Sequence, residues 1–426
     1  MPLSQKKDSI MRVNRRAFLA GIAALPAARV LAGPIRDAKD FGAAYDGSSD
    51  SFKAMQAALD WSSQTANPIQ LSGPVRISDT LRYGSNVTLL GTDAAQIGGF
   101  DLEPGKALLN PGAKAMHSGG EAAFKNVTLR NIRFLGDGNT TKGSLIRFIA
   151  TDGVTVDRCV LRDHRCMLIG LFGVGGASIT QCEFTNWGAV TVKPPGPAIH
   201  MAADPNNRPS SSIEVAGNNF HDGTNVAISV YARDVILRDN HISNTLEGAI
   251  FAFRDRPGDQ PNDAAVNLTI LNNTISNVVQ KDVSGTGIEI GASGALVRGN
   301  KISNTESSGI LILDPSAHIV VTDNEVMDTV QKPGVFREHG QIQIIAEPIT
   351  PDWPQDIAII GNRVSNSSPD RVRAPYGITV RVPFGEPPPI SKLVIRDNVL
   401  AGGYVKEKIW IDPRLAGADA IIQNNG

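Results

Sequence analysis

The sequence has no excess of either charge and few aromatic residues. Lysine and arginine together number 41 against 42 aspartates and glutamates, and aromatic residues make up 5% of the 426 residues. Such a chain has no basic surplus with which to neutralise a phosphate backbone, so we expect no nucleic-acid partner. Glycine is abundant, with 42 residues, and this combination is typical of thin aliphatic strands joined by tight turns.

Long hydrophobic runs are also missing, so we expect no membrane span in the mature protein. The short apolar run near the N-terminus follows the pair Arg15 and Arg16 in "NRRAFLAGIAALPAARVLAG", and Val30-Leu31-Ala32 fits a cleavage site before Gly33. The segment resembles a twin-arginine export signal, and the alternative is a chance basic patch on an amphipathic helix. We expect residues 1–32 to engage the twin-arginine export machinery and the mature protein to be periplasmic or secreted.

One short pattern recurs along most of the chain. "VILRDNHISN" (235–244), "LTILNNTISN" (268–277) and "ALVRGNKISN" (295–304) each place an asparagine between two apolar runs. The anchor asparagines are Asn219, Asn240, Asn273, Asn300, Asn324, Asn362 and Asn398. Neighbouring anchors are often 21 to 27 residues apart, as from Asn219 to Asn240 and from Asn273 to Asn300. A period in this range predicts a solenoid.

Within each copy the apolar residues alternate with period 2, which is the spacing of a strand. A second strand follows a glycine, as in "GAIFAF" (248–253), "GTGIEI" (285–290) and "YGITVRV" (376–382). Stacked coils would place strand over strand about 4.8 Å apart and bury one aliphatic column. The anchor asparagine suits the turn between strands, where its amide can hydrogen-bond to the next coil.

These repeats resemble the right-handed parallel β-helix of the pectin-lyase-like superfamily over roughly residues 36–426. "KDFGAAYDGSSDSFKAMQAALDW" (39–61) is similar to the opening segment of polysaccharide lyases, polygalacturonases and phage tailspikes. With the export signal, the chain most resembles an uncharacterised family of twin-arginine-exported β-helix repeat proteins. The resemblance implies an all-β, single-stranded right-handed parallel β-helix of about ten coils with a short N-terminal capping helix. We expect the cap and first coils over 33–125 and the repeats over 126–426.

The sequence has three cysteines, and none forms a CxxC metal motif. Cys159 and Cys182 occupy the anchor position of two early copies, where a small buried side chain is sufficient. Export to an oxidising compartment leaves a Cys159–Cys182 disulfide as the alternative. We favour two stacked, reduced cysteines and expect no metal site here.

The familiar catalytic signatures of the superfamily are absent, because the chain contains no "DD", "GHG" or "DPH". Strand alternation instead predicts a candidate groove beside the inward-facing residues Ile288, Ile290, Ile310, Ile312, Ile342, Ile344, Ile378 and Val380. The neighbouring positions, which should face outward, are Tyr231, Phe251, Phe253, Glu289, Leu311, Gln343, Thr379 and Arg381. Aromatic rings beside charged groups suit a sugar, whose ring faces stack and whose hydroxyls hydrogen-bond.

We assign candidate roles within this groove. Glu289, His339 and Arg381 are the candidate catalytic residues, and the candidate substrate-binding residues are Tyr231, Phe251, Phe253, Arg254, Asp255 and Gln343. Carboxylates could hydrolyse a glycosidic bond. Alternatively, His339 or an arginine could take the proton α to a uronate carboxylate while Arg381 or a calcium ion neutralises that carboxylate. Taken singly, Glu289 is typical of a solvated strand residue and His339 of a turn. No cofactor is evident, and a calcium site from Asp255, Asp259 and Asp263 lacks the EF-hand spacing.

Two functions are consistent with this pattern. The first is an exported polysaccharide lyase or glycoside hydrolase acting on an envelope polysaccharide or exopolysaccharide, which depends on fold analogy. The alternative is a non-catalytic glycan-binding or cell-envelope scaffold, which the missing catalytic motifs favour. In both cases the partner is a polysaccharide, and the composition fits a monomer.

The export signal predicts that export of the protein depends on the arginine pair. Replacing Arg15 and Arg16 together by lysine preserves the charge but removes the paired guanidinium groups, so we expect export to stop and the protein to accumulate in the cytoplasm. Immunoblots of periplasmic, secreted and cytoplasmic fractions measure this, with Lys6→Arg and Lys7→Arg as the matched control. Continued export of the double lysine variant would contradict the signal assignment.

Overall fold

Three strands and the turns between them form each coil of a right-handed parallel β-helix. The computed structural model describes residues 33–99, 106–112, 121–138, 143–188, 196–253, 264–279, 285–313, 315–332, 338–346, 353–367, 372–383, 385–386, 388–415 and 420–426. In these residues the coils stack into three long sheets, here called sheets A, B and C, with 14, 12 and 12 strands. The described chain therefore has twelve complete coils, against the expected ten or so.

Every coil passes through the sheets in the order A, B, C. Sheet A contains Arg36–Asp37, Ile69–Leu71, Thr88–Gly91, Phe124–Arg130, Thr151–Asp157, Gly175–Thr180, Ser211–Ala216, Arg233–Arg238, Val266–Leu271, Ser293–Arg298, Ala317–Thr322, Gln355–Ile360, Leu393–Arg396 and Ile421–Gln423. Sheet B contains Pro74–Ile77, Gln96–Gly99, Arg133–Leu135, Val160–His164, Glu183–Trp187, Asn219–Gly223, His241–Thr245, Thr274–Val278, Lys301–Thr305, Glu325–Met327, Arg363–Ser365 and Val399–Ala401. Sheet C contains Leu81–Tyr83, Leu109–Pro111, Ser144–Ile149, Met167–Phe172, Ile199–Ala202, Ile228–Val230, Gly248–Phe253, Thr286–Gly291, Ile310–Ile312, Gly340–Ile345, Tyr376–Arg381 and Glu407–Ile411.

The core is a set of aliphatic columns that run along the solenoid axis. In sheet C, Ile288 lies opposite Ile310 in the next coil, and Ile342 lies opposite Ile378. The eight residues predicted to face inward are all fully buried, which confirms the predicted strand alternation. Each coil buries its apolar side chains only by stacking on its neighbours, so the core is continuous along the whole axis.

A short helical cap covers the first coil. A 3-10 helix, Ala38–Phe41, begins at Asp37, whose side chain accepts a hydrogen bond from the Lys39 backbone. The α-helix Phe52–Thr65 follows and buries Met55, Ala58 and Leu59. Among the described residues no helix has both the length and the apolar character needed to cross a membrane.

The turn between sheets A and B contains a ladder of buried asparagines. The Asn300 side-chain oxygen accepts hydrogen bonds from the backbone and side-chain amides of Asn273, at 2.9 and 3.0 Å. The backbone and side-chain amides of Asn300 in turn donate hydrogen bonds to the Asn324 side-chain oxygen, both at 2.9 Å. The ladder consists of Asn218, Asn240, Asn273, Asn300, Asn324, Asn362, Asn398 and Asn425.

One predicted member of this ladder is wrong by one position. The residue in the "IEVAGNNF" copy is Asn218, which is 2% exposed and bonded to Asn240. Asn219 instead begins the sheet B strand Asn219–Gly223 and lies opposite His241. Asn218 and Asn219 are adjacent and have the same side chain, so only the strand register shows which of them belongs to the ladder.

Two cysteines continue the ladder towards the N-terminus. The Cys182 backbone donates to the Asn218 side-chain oxygen at 2.8 Å, and the Cys159 backbone donates to the Cys182 sulfur at 3.4 Å. Both side chains are buried, and Cys159, Cys166 and Cys182 are all free. The structure therefore has stacked thiols at these positions and no disulfide between them.

The ladder predicts that replacing one of its asparagines lowers the stability of the protein. Asn300→Ala leaves the buried amides of Asn273 without their acceptor, so we expect the free energy of unfolding to fall by about 1–3 kcal/mol. Denaturant unfolding followed by circular dichroism measures this. Thr274→Ala, at an exposed strand position, is the control and should change stability by less than about 0.5 kcal/mol. Equal stabilities of the two variants would show that the ladder contributes nothing beyond the turn itself.

Candidate functional site

The outer face of sheet C carries the predicted site residues in regular register. One column along this face contains Arg147, Gly170, His200, Ser229, Phe251, Glu289, Leu311, Gln343 and Thr379, each lying opposite the next in the adjacent coil. A second outward column contains Phe253, opposite Gly291, and Arg381, opposite Ile345. The predicted outward-facing positions in these strands therefore do share one face.

Five aromatic side chains form a continuous line across this face, which we call the aromatic track. Its members are Phe172, His200, Tyr231 and Phe253 in four successive coils, followed by Phe251 in the same strand as Phe253. Successive ring centroids are 5.7, 5.8, 5.9 and 5.6 Å apart. All five side chains are partly exposed, so the track presents aromatic surface to the solvent over four consecutive coils.

Glycines leave room for two of these rings. A Cβ atom on Gly170 would lie 2.5 Å from the Phe172 ring, and a Cβ atom on Gly248 would lie 2.2 Å from the Phe251 ring. Both distances are far below van der Waals contact, so any larger residue would displace the ring. The absence of side chains at these two positions lets the rings lie close to the sheet.

Polar groups lie within and at one end of the track. The His200 ring contacts the Ser229 hydroxyl, with Nδ1 and Oγ 3.3 Å apart, and burial lowers the pKa of His200 to about 4. The imidazole is therefore neutral at physiological pH and behaves as a flat, hydrogen-bonding ring. Arg147 lies two strands away in the same column, and burial lowers the pKa of its guanidinium.

A second polar group lies at the other end of the face. His339 precedes the strand Gly340–Ile345, and its Nδ1 is 3.2 Å from the Ser307 hydroxyl. Its Nε2 is 3.4 Å from the Arg381 guanidinium. Burial, and secondarily the Arg381 charge, lower the pKa of His339 to about 3. At neutral pH this ring is therefore uncharged and a weak base, while Arg381 beside it can bind an anion.

Two candidate site residues are more buried than predicted. Glu289 is 8% exposed and Gln343 is fully buried, although both belong to the outward column. The Ser308 hydroxyl donates to the Gln343 side-chain oxygen at 2.9 Å. Strand alternation correctly predicted which way these side chains point. The expectation of an open column was wrong here, because alternation carries no information about whether a face is covered.

The remaining predicted residues cannot be placed on this face. Arg254 and Asp255 lie outside the described residues, as do Asp259 and Asp263 of the calcium alternative. Within the described ranges, no group of three or more histidines, cysteines, aspartates or glutamates is arranged to hold a metal ion. The described part of the site therefore consists of aromatic rings, His339, Arg381, Glu289 and Gln343.

Sequence reasoning missed Phe172, His200 and Arg147. The predicted strands of this sheet were those that follow a glycine marker, and "PAIHMA" has none in the equivalent position. A signal was nevertheless present, because "AIHMA" and "AISVY" align residue by residue. In the structure Ile199 lies opposite Ile228 and His200 opposite Ser229. Extending the outward column by one coil would have found His200.

Comparison with known proteins supports this architecture. Residues 115–326 match a family model described as a right handed beta helix region. A search of curated protein sequences finds no match to the chain. The fold of the protein is therefore a right-handed parallel β-helix.

Several solved structures share the fold at low sequence identity. The A-module of the Azotobacter vinelandii mannuronan C-5 epimerase AlgE6 is 16% identical with a TM-score of 0.63, over 92% of this chain and 98% of that one. PfbA, a surface adhesin of Streptococcus pneumoniae, is 16% identical with a TM-score of 0.59, over 92% and 91%. A tailspike of E. coli bacteriophage HK620, solved with a pentasaccharide, is 13% identical with a TM-score of 0.56, over 86% and 65%. Identity at this level establishes the common fold alone.

The low pKa of His339 generates a prediction. Removing the neighbouring cation in Arg381→Gln should raise the pKa of His339 from about 3 towards the ordinary value of about 6.5. The pKa of His200, on other coils of the face, should stay unchanged. NMR titration of the histidine ring protons measures both values.

The same shift has a consequence for stability. Because the unfolded chain binds a proton at His339 at higher pH than the folded chain does, the stability should fall as the pH decreases from about 6.5 towards 3. This acid-induced loss should be smaller in Arg381→Gln. An unchanged His339 titration in that variant would show that burial alone sets the pKa.

Proposed function

We propose that this protein binds a polysaccharide along the outer face of sheet C. The observation that carries the proposal is the aromatic track, in which five partly exposed rings follow one another at 5.6 to 5.9 Å. Sugar rings have apolar faces that stack on aromatic side chains. A polymer lying along the track would meet a new ring in each coil, because each coil adds one strand spacing of about 4.8 Å.

The polar groups of the face suit the rest of a sugar chain. The Ser229 hydroxyl and the His200 imidazole lie between aromatic rings, where they can hydrogen-bond to sugar hydroxyls. Arg147 at one end of the face and Arg381 at the other supply guanidinium groups that bind carboxylates, sulfates or phosphates in a bidentate manner. The ligand class is therefore a glycan of several residues, with its rings on the track.

The names of the fold relatives support the same ligand class. One is an epimerase of mannuronan, and another was solved with a pentasaccharide. A third is a surface adhesin. At 13 to 16% identity these functions are analogies, and the track in this chain carries the argument.

Cleavage of the bound polysaccharide is a second candidate function, favoured by the His339 and Arg381 pair. A uronate carboxylate bound to Arg381 would offset the charge that helps to lower the pKa of His339, and the neutral ring could then take the proton α to that carboxylate. The C–O bond to the neighbouring sugar would break, the departing oxygen would take up the proton from His339, and an unsaturated uronate would remain. Glycoside hydrolysis would instead need a second carboxylate beside the buried Glu289, and His339 with Arg381 therefore favours elimination.

The proposed setting is outside the cytoplasm. The resemblance of residues 1–32 to a twin-arginine export signal motivates this location, and polysaccharides of the envelope or exopolysaccharides are abundant there. Secretion of a folded β-helix also suits a protein whose ligand is too large to enter the cell.

Binding on the track can be tested with the full chain and a panel of acidic and neutral polysaccharides. Affinity electrophoresis measures retention by each polymer. For a retained polymer, Tyr231→Ala and Phe253→Ala should each weaken binding by about 1 kcal/mol, roughly fivefold, because each removes one stacking ring. Trp61→Ala, which removes an aromatic ring from the cap helix, is the matched control and should bind as the native protein does.

The same mixtures distinguish the two functions. New reducing ends together with ultraviolet absorbance of unsaturated uronate, both lost in His339→Ala, would establish elimination. Retention without scission would leave the binding role alone. Equal retention of the native protein and the two track variants would place the glycan elsewhere, and retention of no polymer would refute the proposal.

A further inference from the structure

Arg147 is a partly buried cation for which the described part of the chain supplies no partner. Its side chain forms no hydrogen bond and no ion pair among the described residues, and its Nε atom is buried without an acceptor. Burial lowers the pKa of its guanidinium, and the positive charge of Arg82 lowers that pKa further. Charged groups taken out of water are normally paired. The unpaired guanidinium therefore needs an explanation, and a bound anion is a direct one.

The described positions next to Arg147 on sheet C supply no negative charge. Gly170 lies opposite Arg147 in the next coil, and Ile149, on the same side of the strand, lies opposite Phe172. The Cys166 thiol is also near, but burial raises its pKa, so it is uncharged at neutral pH. The guanidinium thus has apolar neighbours and a glycine beside it, a setting in which an unpaired charge is costly.

One hydroxyl and one aromatic ring border the position opposite Arg147. A Cβ atom placed on Gly170 would lie 2.5 Å from the Ser144 hydroxyl oxygen and 2.5 Å from the Phe172 ring. Ser144 is 1% exposed, and its hydroxyl donates to the Met167 sulfur at 3.8 Å. Because a thioether sulfur is a weak acceptor, this hydroxyl can donate instead to an oxygen of a bound anion.

A second guanidinium belongs to the same outward column. Arg82 lies opposite Asn110, and Asn110 lies beside Arg147, because Leu109 pairs with Ile146 one position earlier. The two arginines are therefore two strand spacings apart, about 10 Å between Cα atoms. Their long side chains can approach a ligand that lies between them. The Asn110 amide can turn to present its NH2 group to the same ligand.

Arg82 has no ion pair among the described residues. Its guanidinium donates a long hydrogen bond to the Pro111 carbonyl at 3.4 Å. Asp79 lies near Arg82 but is already paired with Lys106, at 3.1 Å. Two guanidinium groups thus share this end of sheet C without a described carboxylate that neutralises both, and their combined field attracts an anion.

We propose that Arg147, Arg82 and the Ser144 hydroxyl form an oxyanion site, which binds a carboxylate, sulfate or phosphate group. A guanidinium binds such groups through two parallel hydrogen bonds, and the hydroxyl supplies a third. The oxyanion site is argued from these side chains alone and does not depend on glycan binding.

The source of the oxyanion follows from the position of the site. Phe172 is the first ring of the aromatic track and lies beside the site. We therefore assign the oxyanion to the sugar that stacks on Phe172, which narrows the ligand to an anionic glycan. This assignment rests on the proposed function. A free inorganic oxyanion is the other source, and the experiments below distinguish the two.

Inorganic phosphate tests the oxyanion site without any glycan. At constant ionic strength, phosphate at about ten times its dissociation constant should raise the midpoint of thermal unfolding of the full chain by about 2 °C. Arg147→Gln should abolish this increase. Arg363→Gln removes the same charge from the exposed face of sheet B and should preserve the increase. Without phosphate, Arg147→Gln should be folded by circular dichroism and at least as stable as the native protein, because it lacks a buried unpaired charge.

Matched polymers identify the source of the oxyanion. Dextran sulfate and polygalacturonate carry oxyanions, whereas dextran and carboxyl-reduced polygalacturonate are their neutral counterparts. In affinity electrophoresis, Arg147→Gln should weaken the retention of a charged polymer at least about tenfold and leave the retention of the neutral polymers unchanged. Arg82→Gln should have a smaller effect, because Arg82 is exposed. Arg147→Lys keeps the charge but not the two parallel hydrogen bonds, so its retention should be intermediate.

The combined results separate this inference from the proposed function. Loss of the phosphate effect in folded Arg147→Gln, together with weaker retention of charged polymers, supports the site and its glycan source. Loss of the phosphate effect with no polymer retained supports the site for a free oxyanion, and only the glycan proposal fails. A native chain that phosphate does not stabilise overturns the site, as does an undiminished phosphate effect in Arg147→Gln, even where the aromatic track still retains a polymer. Equal effects of Arg147→Gln and Arg363→Gln also overturn it, because they would reflect net charge alone.

Discussion

Coil-on-coil register is the constraint on which the rest of this structure depends. Each strand hydrogen-bonds to the equivalent strand one coil away, and the asparagine ladder repeats this relation at the turn between sheets A and B. A slip of one residue would move every inward aliphatic side chain to the outside. It would also separate each buried amide of the ladder from its acceptor, leaving polar groups unsatisfied inside the protein.

The same register also determines which outward side chains of successive coils form one surface. Because outward positions stack directly above one another, a side-chain type repeated in successive copies becomes a continuous stripe along the axis. Aromatic rings accumulate on sheet C and aliphatic side chains on the later half of sheet A, whereas the outward column of sheet B is polar up to Arg363. One side of the chain thus offers a track suited to a polymer.

Much of the fold could be predicted, because the causes are local and repeated. Apolar alternation identified the inward column from Ile288 to Val380, and the resemblance of the opening segment correctly implied a short capping helix, Phe52–Thr65. The prediction failed where adjacent residues were chemically equal, as with Asn218 and Asn219. The candidate site was predicted in part. Tyr231, Phe251 and Phe253 do line the face, while Phe172 and His200 were missed, although the strand of His200 aligns with that of Tyr231.

The sequence by itself determined the repeat, the strand directions and the side chains that stack inside, since each depends on residues a few positions apart or one period apart. The tertiary structure alone decided how exposed each outward residue is. Glu289 and Gln343 point outward and are nevertheless buried, whereas Leu296 and Val320 are aliphatic and partly exposed. Exposure depends on which distant parts of the chain cover a face, and a pattern of period 2 contains no information about that covering.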